Sequence, residues 1–597
     1  SILGVSSCDS YLDINPKQVL DQNILNKPSD IEGFVTAAYA RMCEMGSLDS
    51  SPYMYWWSGS MRSDDCYKGG GGVADAVGSF GNISLFTYVN PNTGALDGTW
   101  YNSYQVIQRC NTAIQRMANF TEEELPNKNS FMGEMLFIRS FTLYRLKKLW
   151  KYVPYIDENV VGMSDAFEAV PNRELDKGND LYLWQRILDD FKKAEELLPL
   201  DQMDKGRVSR NAATAMVART ILNMAYEQDD RHQVININKE LLAEALPYID
   251  KIIDQEGGRV GLESDFGNNF LVEYDNATKE SIWELQFALD NNFHTAGRFN
   301  RAEGLNHPWM WPETQPGNFV FKCCDFNHAS YTLTNAFKTD ENGLPRFEDY
   351  NEDYGQYIKN SDGSYNLDIV NSGAKPYFDK YTWDPRFSHT IVAPGQPWKY
   401  DPDLLFHSTA TRDPITYSFL KPIKDMPHPD CGCIAYDGWQ FNSMNKKMIR
   451  YDDVLLWKAE ILIQLDREME ALPYINQIRT RAANSLVRLT QADGSYTMNY
   501  HIATYQPGIN CNWTKDFAWK ALMWENRLEF ACEGHRFFDL QRWGLLEKTM
   551  NEYFAIERTR FDWFNDARFT AGRDEYFPIS QPQMNYSKGN YTQNPGY

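Results

Sequence analysis

The chain has 597 residues, of which 43% are hydrophobic and 14% aromatic, and its formal net charge is −22. This length allows a large buried core. The net negative charge repels phosphate backbones, so nucleic acid is excluded as a partner. No run of about 20 apolar residues exists, so we expect no membrane-spanning helix.

The first residues resemble the end of a bacterial lipoprotein signal. A short apolar run leads into Val5-Ser6-Ser7-Cys8, where the small residues fit a peptidase cleft and Cys8 is the acceptor of the acyl chains. Burial of acyl chains contributes about 0.8 kcal/mol per methylene, so two or more chains hold a protein firmly on a membrane. We therefore expect residues 1–28 to comprise a signal remnant, the lipidated Cys8 and a tether.

A first helical block is predicted over residues 29–255. Apolar residues at helical spacing indicate helices over Trp100 to Met117, Phe131 to Trp150 and Leu183 to Leu198. The helix over Phe131 to Trp150 has two apolar stripes, which predicts packing on two sides, as in stacked helical hairpins.

Degenerate repeats link this block to the end of the chain. Ile187, Phe191, Ala194 and Pro199 fit the second helix of a tetratricopeptide repeat. The pentapeptide Ala-Leu-Pro-Tyr-Ile occurs at 245–249 and again at 471–475. Helix pairs of this kind must stack to bury their faces. We therefore expect one helical array from the residues before 255 and after 446, with the intervening insert projecting from it.

The insert, residues 256–445, is predicted to be loop-rich with short β elements. Residues 281–287 alternate as a strand does, and Pro, Gly, Asn and aromatic residues dominate beyond them. Long loops on a rigid scaffold commonly carry binding groups, so we expect the insert to bind the ligand.

The last block, residues 446–597, is predicted to be helical before an irregular tail. Charges between Glu525 and Arg542 alternate in sign, which favours ion pairs between neighbouring helices, and Gly534 can end the helix. An arginine beside an acid keeps the acid ionised, whereas a general acid needs the opposite environment. We therefore expect no catalytic carboxylate pair here.

The sequence indicates no cofactor. It has no zinc-protease helix, nucleophile elbow or phosphate loop, and Lys68 to Gly72 are interpreted as a flexible loop. His428, Cys431 and Cys433 lack a second pair of ligands at zinc-site spacing. A Ca²⁺ held by loop Asp and Asn side chains is an open alternative that the sequence does not localise. The ten cysteines do not form a regular framework, so we expect mostly free thiols.

The segment from Glu525 to Gly544 resembles the signature of the SusD/RagB lipoproteins. Further matches follow in the family's order, at Trp100…Asn111, Arg139…Pro154, Gly206…Ala213, Arg450…Glu460 and the Asn594-Pro-Gly-Tyr597 ending. The resemblance covers nearly the whole chain and is loosest in the insert.

This resemblance implies a mostly α fold of tetratricopeptide-like helix pairs with an irregular ligand-binding half. It also implies a lipoprotein of the Bacteroidetes outer membrane, facing the cell exterior and seated on a SusC-like TonB-dependent transporter barrel. Members of the family capture oligosaccharides or, in some cases, peptides, and hand them to the barrel for import.

Two segments combine the aromatic and polar side chains that bind sugars. Pyranose C–H groups lie against aromatic rings, and their hydroxyls need polar partners. Trp57, Asp64 and Asp65 follow the first predicted helix, and Arg301, Trp309 and Trp311 follow the strand. The resemblance places ligand contacts in loops at these two places, so we predict these six residues as the site.

The function predicted from these observations is a non-catalytic, cell-surface glycan-binding lipoprotein. A peptide-binding member of the same family is the main alternative. An all-helical glycoside hydrolase and a pure protein–protein scaffold are further alternatives, although a scaffold does not account for the aromatic insert.

Overall fold

The computed structural model describes residues 25–43, 55–160, 170–173, 180–288, 306–308, 324–435 and 441–597. The fold is rich in helices, as predicted. In chain order the described helices are α1 (Ile31–Cys43), α2 (Asn82–Leu85), α3 (Leu96–Met117), α4 (Lys128–Trp150), α5 (Asp180–Leu197), α6 (Arg210–Ala225), α7 (Lys239–Ile253), α8 (Tyr331–Ala336), α9 (Leu367–Asn371), α10 (Lys375–Phe378), α11 (Arg386–Thr390), α12 (Tyr451–Gln464), α13 (Glu468–Asn484), α14 (Lys515–Glu529), α15 (Arg536–Trp543), α16 (Leu546–Glu557) and α17 (Gln581–Tyr586).

Local chemistry accounts for several helix starts. Asn238 accepts hydrogen bonds from the first backbone N–H groups of α7, and Thr514 accepts one from Phe517 N at the start of α14. These caps supply partners for donors that the helix itself leaves free. Helix α4 is buried on all sides from Gly133 to Trp150, which confirms the prediction from its two apolar stripes.

The long helices form one stack. Helices that are close in the chain pack in pairs, and α7 packs on α12 across the insert. The repeated pentapeptide lies within α7 and α13, and its Ala245 and Ile249, like Ala471 and Ile475, are buried. The single array predicted from the repeats is therefore confirmed.

The strands are short and pair two at a time. They are β1 (Cys66–Gly69), β2 (Tyr226–Gln228), β3 (Val234–Ile237), β4 (Ser281–Leu285), β5 (Phe326–Ala329), β6 (Lys338–Thr339), β7 (Thr382–Trp383), β8 (Ile391–Val392), β9 (Pro397–Trp398), β10 (Asp401–Leu405), β11 (Lys421–Pro422), β12 (Ile434–Ala435), β13 (Phe441–Asn442) and β14 (Lys446–Arg450). All seven described pairs are antiparallel: β1 with β5, β2 with β3, β4 with β14, β6 with β7, β8 with β11, β9 with β10, and β12 with β13.

The insert does not simply project from the array, which corrects the sequence-based expectation. Trp283 on β4 packs edge-on against Phe137 and Phe141 of α4, with ring centroids 4.9 and 5.0 Å apart. Trp383 and Phe387 also belong to the main core. A second, smaller apolar cluster surrounds Trp398, Leu404 and Phe406 within the insert. Aromatic side chains from the insert thus complete the core of the helices.

Five of the eight cysteines in the described residues are free thiols and three are disulfide-bonded, which corrects the expectation at those three. Cys431 and Cys433 form a disulfide, so these thiolates are not available to a soft metal, and Cys324 is also disulfide-bonded. The free thiols in the described residues belong to Cys43, Cys66, Cys110, Cys511 and Cys532.

Candidate functional site

In the fold, the strand that follows the first predicted binding segment lies beside the strand that follows the second. Strand β1, which follows Trp57 and Asp64, pairs with β5, which follows the second segment, in the register Cys66↔Ala329 and Gly69↔Phe326. Ser330 N, next to β5, donates to Asp65 O at 2.9 Å. A two-stranded ladder therefore joins regions separated by about 260 positions in the chain.

Trp57 lies in the core and not on a binding surface, contrary to the sequence-based prediction. It sits in the short helical turn Trp56–Ser60, and its side chain is 0% exposed. Its ring contacts those of Phe80 and Phe577, with centroids 6.5 and 5.7 Å away. No face of this indole is available to a sugar.

Asp64 is an internal ion-pair partner, which corrects its predicted role. It is 3% exposed, and its carboxylate accepts from Arg536 Nε at 2.8 Å and lies 2.9 Å from Arg527 Nη2. Burial by itself would raise the pKa of Asp64, but the two guanidinium groups outweigh it and hold the pKa below its usual range.

Asp65 is also internal, so it too is corrected as a ligand contact. It is 1% exposed, and its Oδ1 lies 3.5 Å from Arg527 Nε. Burial raises its pKa, aided by the neighbouring charge of Asp64 and opposed by Arg527. Together the two carboxylates hold the first segment against the signature segment.

The other predicted site residues are Arg301, Trp309, Trp311 and the lipidated Cys8. All four lie outside the described residues, so they stay predictions.

A run of glycines makes a defined turn after β1, where the sequence suggested a flexible loop. Gly69 has φ +73°, and a Cβ there would lie 2.5 Å from Asp325 O. Gly70 N donates to the same Asp325 O at 2.7 Å. Lys68 Nζ donates to Gly72 O at 2.9 Å. The glycines thus permit a close backbone approach that any side chain would block.

Polar and aromatic groups surround this turn at the surface. Arg412 Nη1 lies 2.9 Å from Asp75 Oδ2, and both side chains are about one-third exposed. Ile415 is 75% exposed, and the half-buried Trp563 donates from Nε1 to Thr416 O at 2.8 Å. We call Asp75, Arg412, Ile415 and Trp563 the ladder-edge surface.

Sequence reasoning missed the ladder-edge surface. Its members come from three separate parts of the chain, and no periodicity or spacing relates them. The Lys68 to Gly72 run was the one available signal, since consecutive glycines indicate close backbone approach.

The charges of the signature segment pair with other elements, as predicted. Glu525 lies 3.1 Å from Arg479 Nη1 and 2.6 Å from Arg386 Nη1. Glu533 pairs with Lys424 at 2.7 Å, and Arg542 with Glu460 at 2.8 Å. Gly534, with φ +83°, separates α14 from α15. The segment therefore ties helices α12 to α15 to one another and to the insert.

The expectation that arginines keep these acids ionised holds for only some of them. The pKa of Glu533 is lowered well below its usual range, because Arg450 and Lys424 outweigh the opposing effect of burial. The pKa of Glu529 is instead raised, mainly by burial. Glu525 and Glu529 are both 0% exposed, so a substrate has no access to either.

One buried carboxylate cluster has the spacing of metal ligands in the described residues. Glu280, Asp452 and Glu529 offer oxygens within 4.8 Å of one another. Arg481 lies 2.8 Å from Glu280, and Arg450 lies 2.7 Å from Asp452. Because arginines already occupy these oxygens, the donor set suits an ion-pair network and not a cation.

No described helix has the length and apolar character needed to cross a bilayer.

Comparison with known proteins identifies the family. The model of the SusD family matches residues 279–597. A second model, described as starch-binding associating with outer membrane, matches residues 76–222.

Individual relatives align over almost the full chain. The SusD-like protein P2 of Formosa agariphila is 23% identical, with 100% of this chain and 98% of the relative covered. A laminarin-binding SusD-like protein superposes with a TM-score of 0.63 at 18% identity, covering 96% of this chain and 100% of the other. Surface glycan-binding protein A from Bacteroides thetaiotaomicron, in complex with laminarihexaose, gives 0.59 at 18% identity, covering 95% and 99%. The match of the family model to more than half of the residues shows that the chain belongs to the SusD/RagB family.

Proposed function

We propose that this protein captures an oligosaccharide at the cell surface and delivers it to a TonB-dependent transporter without catalysing a reaction. The observation that carries the proposal is the β1–β5 ladder, since it brings the flanks of both predicted binding segments to one place. Membership of the SusD family and the match to a family model described as starch-binding support the ligand class.

The ladder-edge surface supports this ligand class chemically. A sugar offers C–H faces and hydroxyl groups, and it needs both an apolar surface and fixed polar groups. Ile415 and Trp563 supply the apolar area, and the Asp75–Arg412 pair supplies an acceptor and donors. We propose that Arg301, Trp309 and Trp311 complete the site from the second segment.

Laminarin is the first ligand to test, because two structural relatives are a laminarin-binding protein and a laminarihexaose complex. Single sugar sites of this kind bind weakly, with dissociation constants on the order of micromolar to millimolar. An acyl anchor at Cys8 would offset weak binding by holding the site beside the transporter at high effective concentration.

The absence of catalysis is part of the proposal. The acids that could form a glycosidase pair in the signature segment are buried and paired with arginines. Incubation with laminarin should therefore give no new reducing ends, and measurable turnover would instead favour the hydrolase alternative.

The binding proposal can be tested by calorimetric titration with laminarihexaose. We expect Trp309→Ala and Arg412→Ala each to weaken binding at least about tenfold, equivalent to about 1.4 kcal/mol. Tyr586→Ala removes an exposed aromatic ring outside the ladder-edge surface and should leave the affinity unchanged.

Full affinity in the Trp309→Ala variant would refute the placement of the site. If laminarihexaose does not bind, a glycan array and a basic peptide library distinguish another glycan from the peptide alternative.

A further inference from the structure

Two buried free thiols face each other where β1 meets the signature segment. Cys66 lies on β1, and Cys532 lies in the turn between α14 and α15, 466 positions later in the chain. Their Sγ atoms are 3.7 Å apart, and the residues are 2% and 6% exposed. A disulfide needs a separation of about 2.0 Å, so a small local shift would bring the sulfurs to bonding distance.

Ion pairs fix both backbones close to these thiols. Asp64 binds Arg527 and Arg536, which lie on either side of Cys532 in sequence. Asp65, the neighbour of Cys66, accepts a hydrogen bond from the backbone N–H of Cys532. The proximity of the sulfurs is therefore set by contacts that do not involve the sulfurs.

Close backbone packing between residues 55–59 and Gly534 also holds the Cys532 turn in place. A Cβ on Gly59 would lie 2.1 Å from Gly534 O, and one on Gly534 would lie 2.3 Å from Tyr55 Cβ. Cys532 itself has φ +64°, a conformation that a non-glycine residue adopts only when its surroundings impose it. The turn that carries Cys532 is thus held against the segment that leads to β1.

We propose that Cys66 and Cys532 form a structural disulfide when the chain folds under oxidising conditions. Both S–H bonds break and one S–S bond forms. The two protons and two electrons pass to an oxidant of the disulfide class, such as glutathione disulfide or an oxidoreductase disulfide, which leaves as two thiols. The new bond ties the strand at the base of the ladder-edge surface to the family signature.

The bond forms during folding and not afterwards. Once the chain is folded, an external oxidant has no access to either sulfur, and burial raises the pKa of the Cys66 thiol, which suppresses the reactive thiolate. The inference depends only on this geometry, so it stands or falls separately from the proposed ligand.

Peptide mapping tests the inference on the full chain. The protein is refolded with reduced and oxidised glutathione, alkylated in denaturant without reduction and digested with trypsin. Residues 63–68 and 528–536 are released as separate tryptic peptides with one cysteine each. We expect most of both peptides to be joined to each other, and reduction to separate them. Recovery of both cysteines in alkylated form, or joined to other cysteines, would overturn the proposal.

A stability comparison gives an independent readout. Urea midpoints are measured with and without a phosphine reductant for the wild type, the Cys66→Ser/Cys532→Ser double variant and Cys110→Ser, which changes another buried free thiol. All three keep the Cys431–Cys433 disulfide. We expect reduction to lower the midpoint more in the wild type and Cys110→Ser than in the double variant. Equal shifts in all three would contradict the cross-link, and the peptide map decides if the double variant does not fold.

Discussion

Asp64 carries a carboxylate of the kind that binds a sugar hydroxyl, but in the fold it faces Arg527 and Arg536. Trp57 is likewise a suitable sugar platform by residue type, yet its ring is enclosed between Phe80 and Phe577. A residue type states what a side chain can bind, whereas its neighbours decide what it does bind. The internal neighbours give both residues a structural role.

Burial also makes the contribution of Asp453 to the stability of the fold depend on pH. This carboxylate is 3% exposed, and burial, opposed by Arg219 and Arg450, raises its pKa to about 6. The unfolded value is about 3.9. The folded state therefore binds the proton of Asp453 more tightly than the unfolded state does. The stabilisation that this carboxyl contributes is complete below about pH 4 and is lost as the pH rises through 6.

Replacing Asp453 with Asn should remove this dependence, because the amide stays neutral. Between pH 4.5 and 7.5 we expect the stability of Asp453→Asn to improve relative to the wild type by about 2 kcal/mol. Urea unfolding at the two pH values measures the difference. A constant offset between wild type and variant at both pH values would show that Asp453 does not titrate in this range.

At the scale of elements, β1 and β5 form the contact on which the site depends. Four-residue strands have little stability of their own, so their pairing relies on the glycine turn and on the surrounding core. At Gly69 an added Cβ atom would lie only 2.5 Å from the backbone oxygen of Asp325.

Gly69→Ala should therefore destabilise the protein and weaken ligand binding together. Gly257→Ala is a matched control, because Gly257 also has a positive φ, +79°, but has no atom within 4 Å of an added Cβ. The left-handed backbone alone costs about 1–2 kcal/mol, and we expect a larger loss only at Gly69. Equal losses of thermal stability in the two variants would mean that the close approach is unimportant.

For the whole molecule, the insert and the helical array share one core and one network of charges. Arg386, in the insert, is 0% exposed. It lies 2.6 Å from Asp384 and from Glu525 and 2.9 Å from Glu529. Its charge therefore joins helix α14 of the last block to helix α11 of the insert, so we expect the blocks to unfold as a unit.

Arg386→Met should be strongly destabilising, because it leaves buried carboxylates without their shared counter-charge. Breaking a buried pair from one side costs about 3–5 kcal/mol, and calorimetric unfolding measures the loss. Arg346→Met disrupts a pair with Asp349 in which the two side chains are 29% and 65% exposed, so it should change the midpoint much less. A small effect at Arg386 would indicate that the insert is only loosely coupled to the array.

The helical array, the β4 strand and the family were predictable from the sequence, because apolar periodicity, the repeated pentapeptide and the ordered motifs are local features of the chain. The signature charges were also predicted to pair between elements, although their partners were not. Only the tertiary structure decided that Trp57, Asp64 and Asp65 are internal and that Asp75, Arg412 and Trp563 meet at one surface. Burial and long-range pairing depend on which distant segments fold together, and the spacing of residues along the chain does not encode that information.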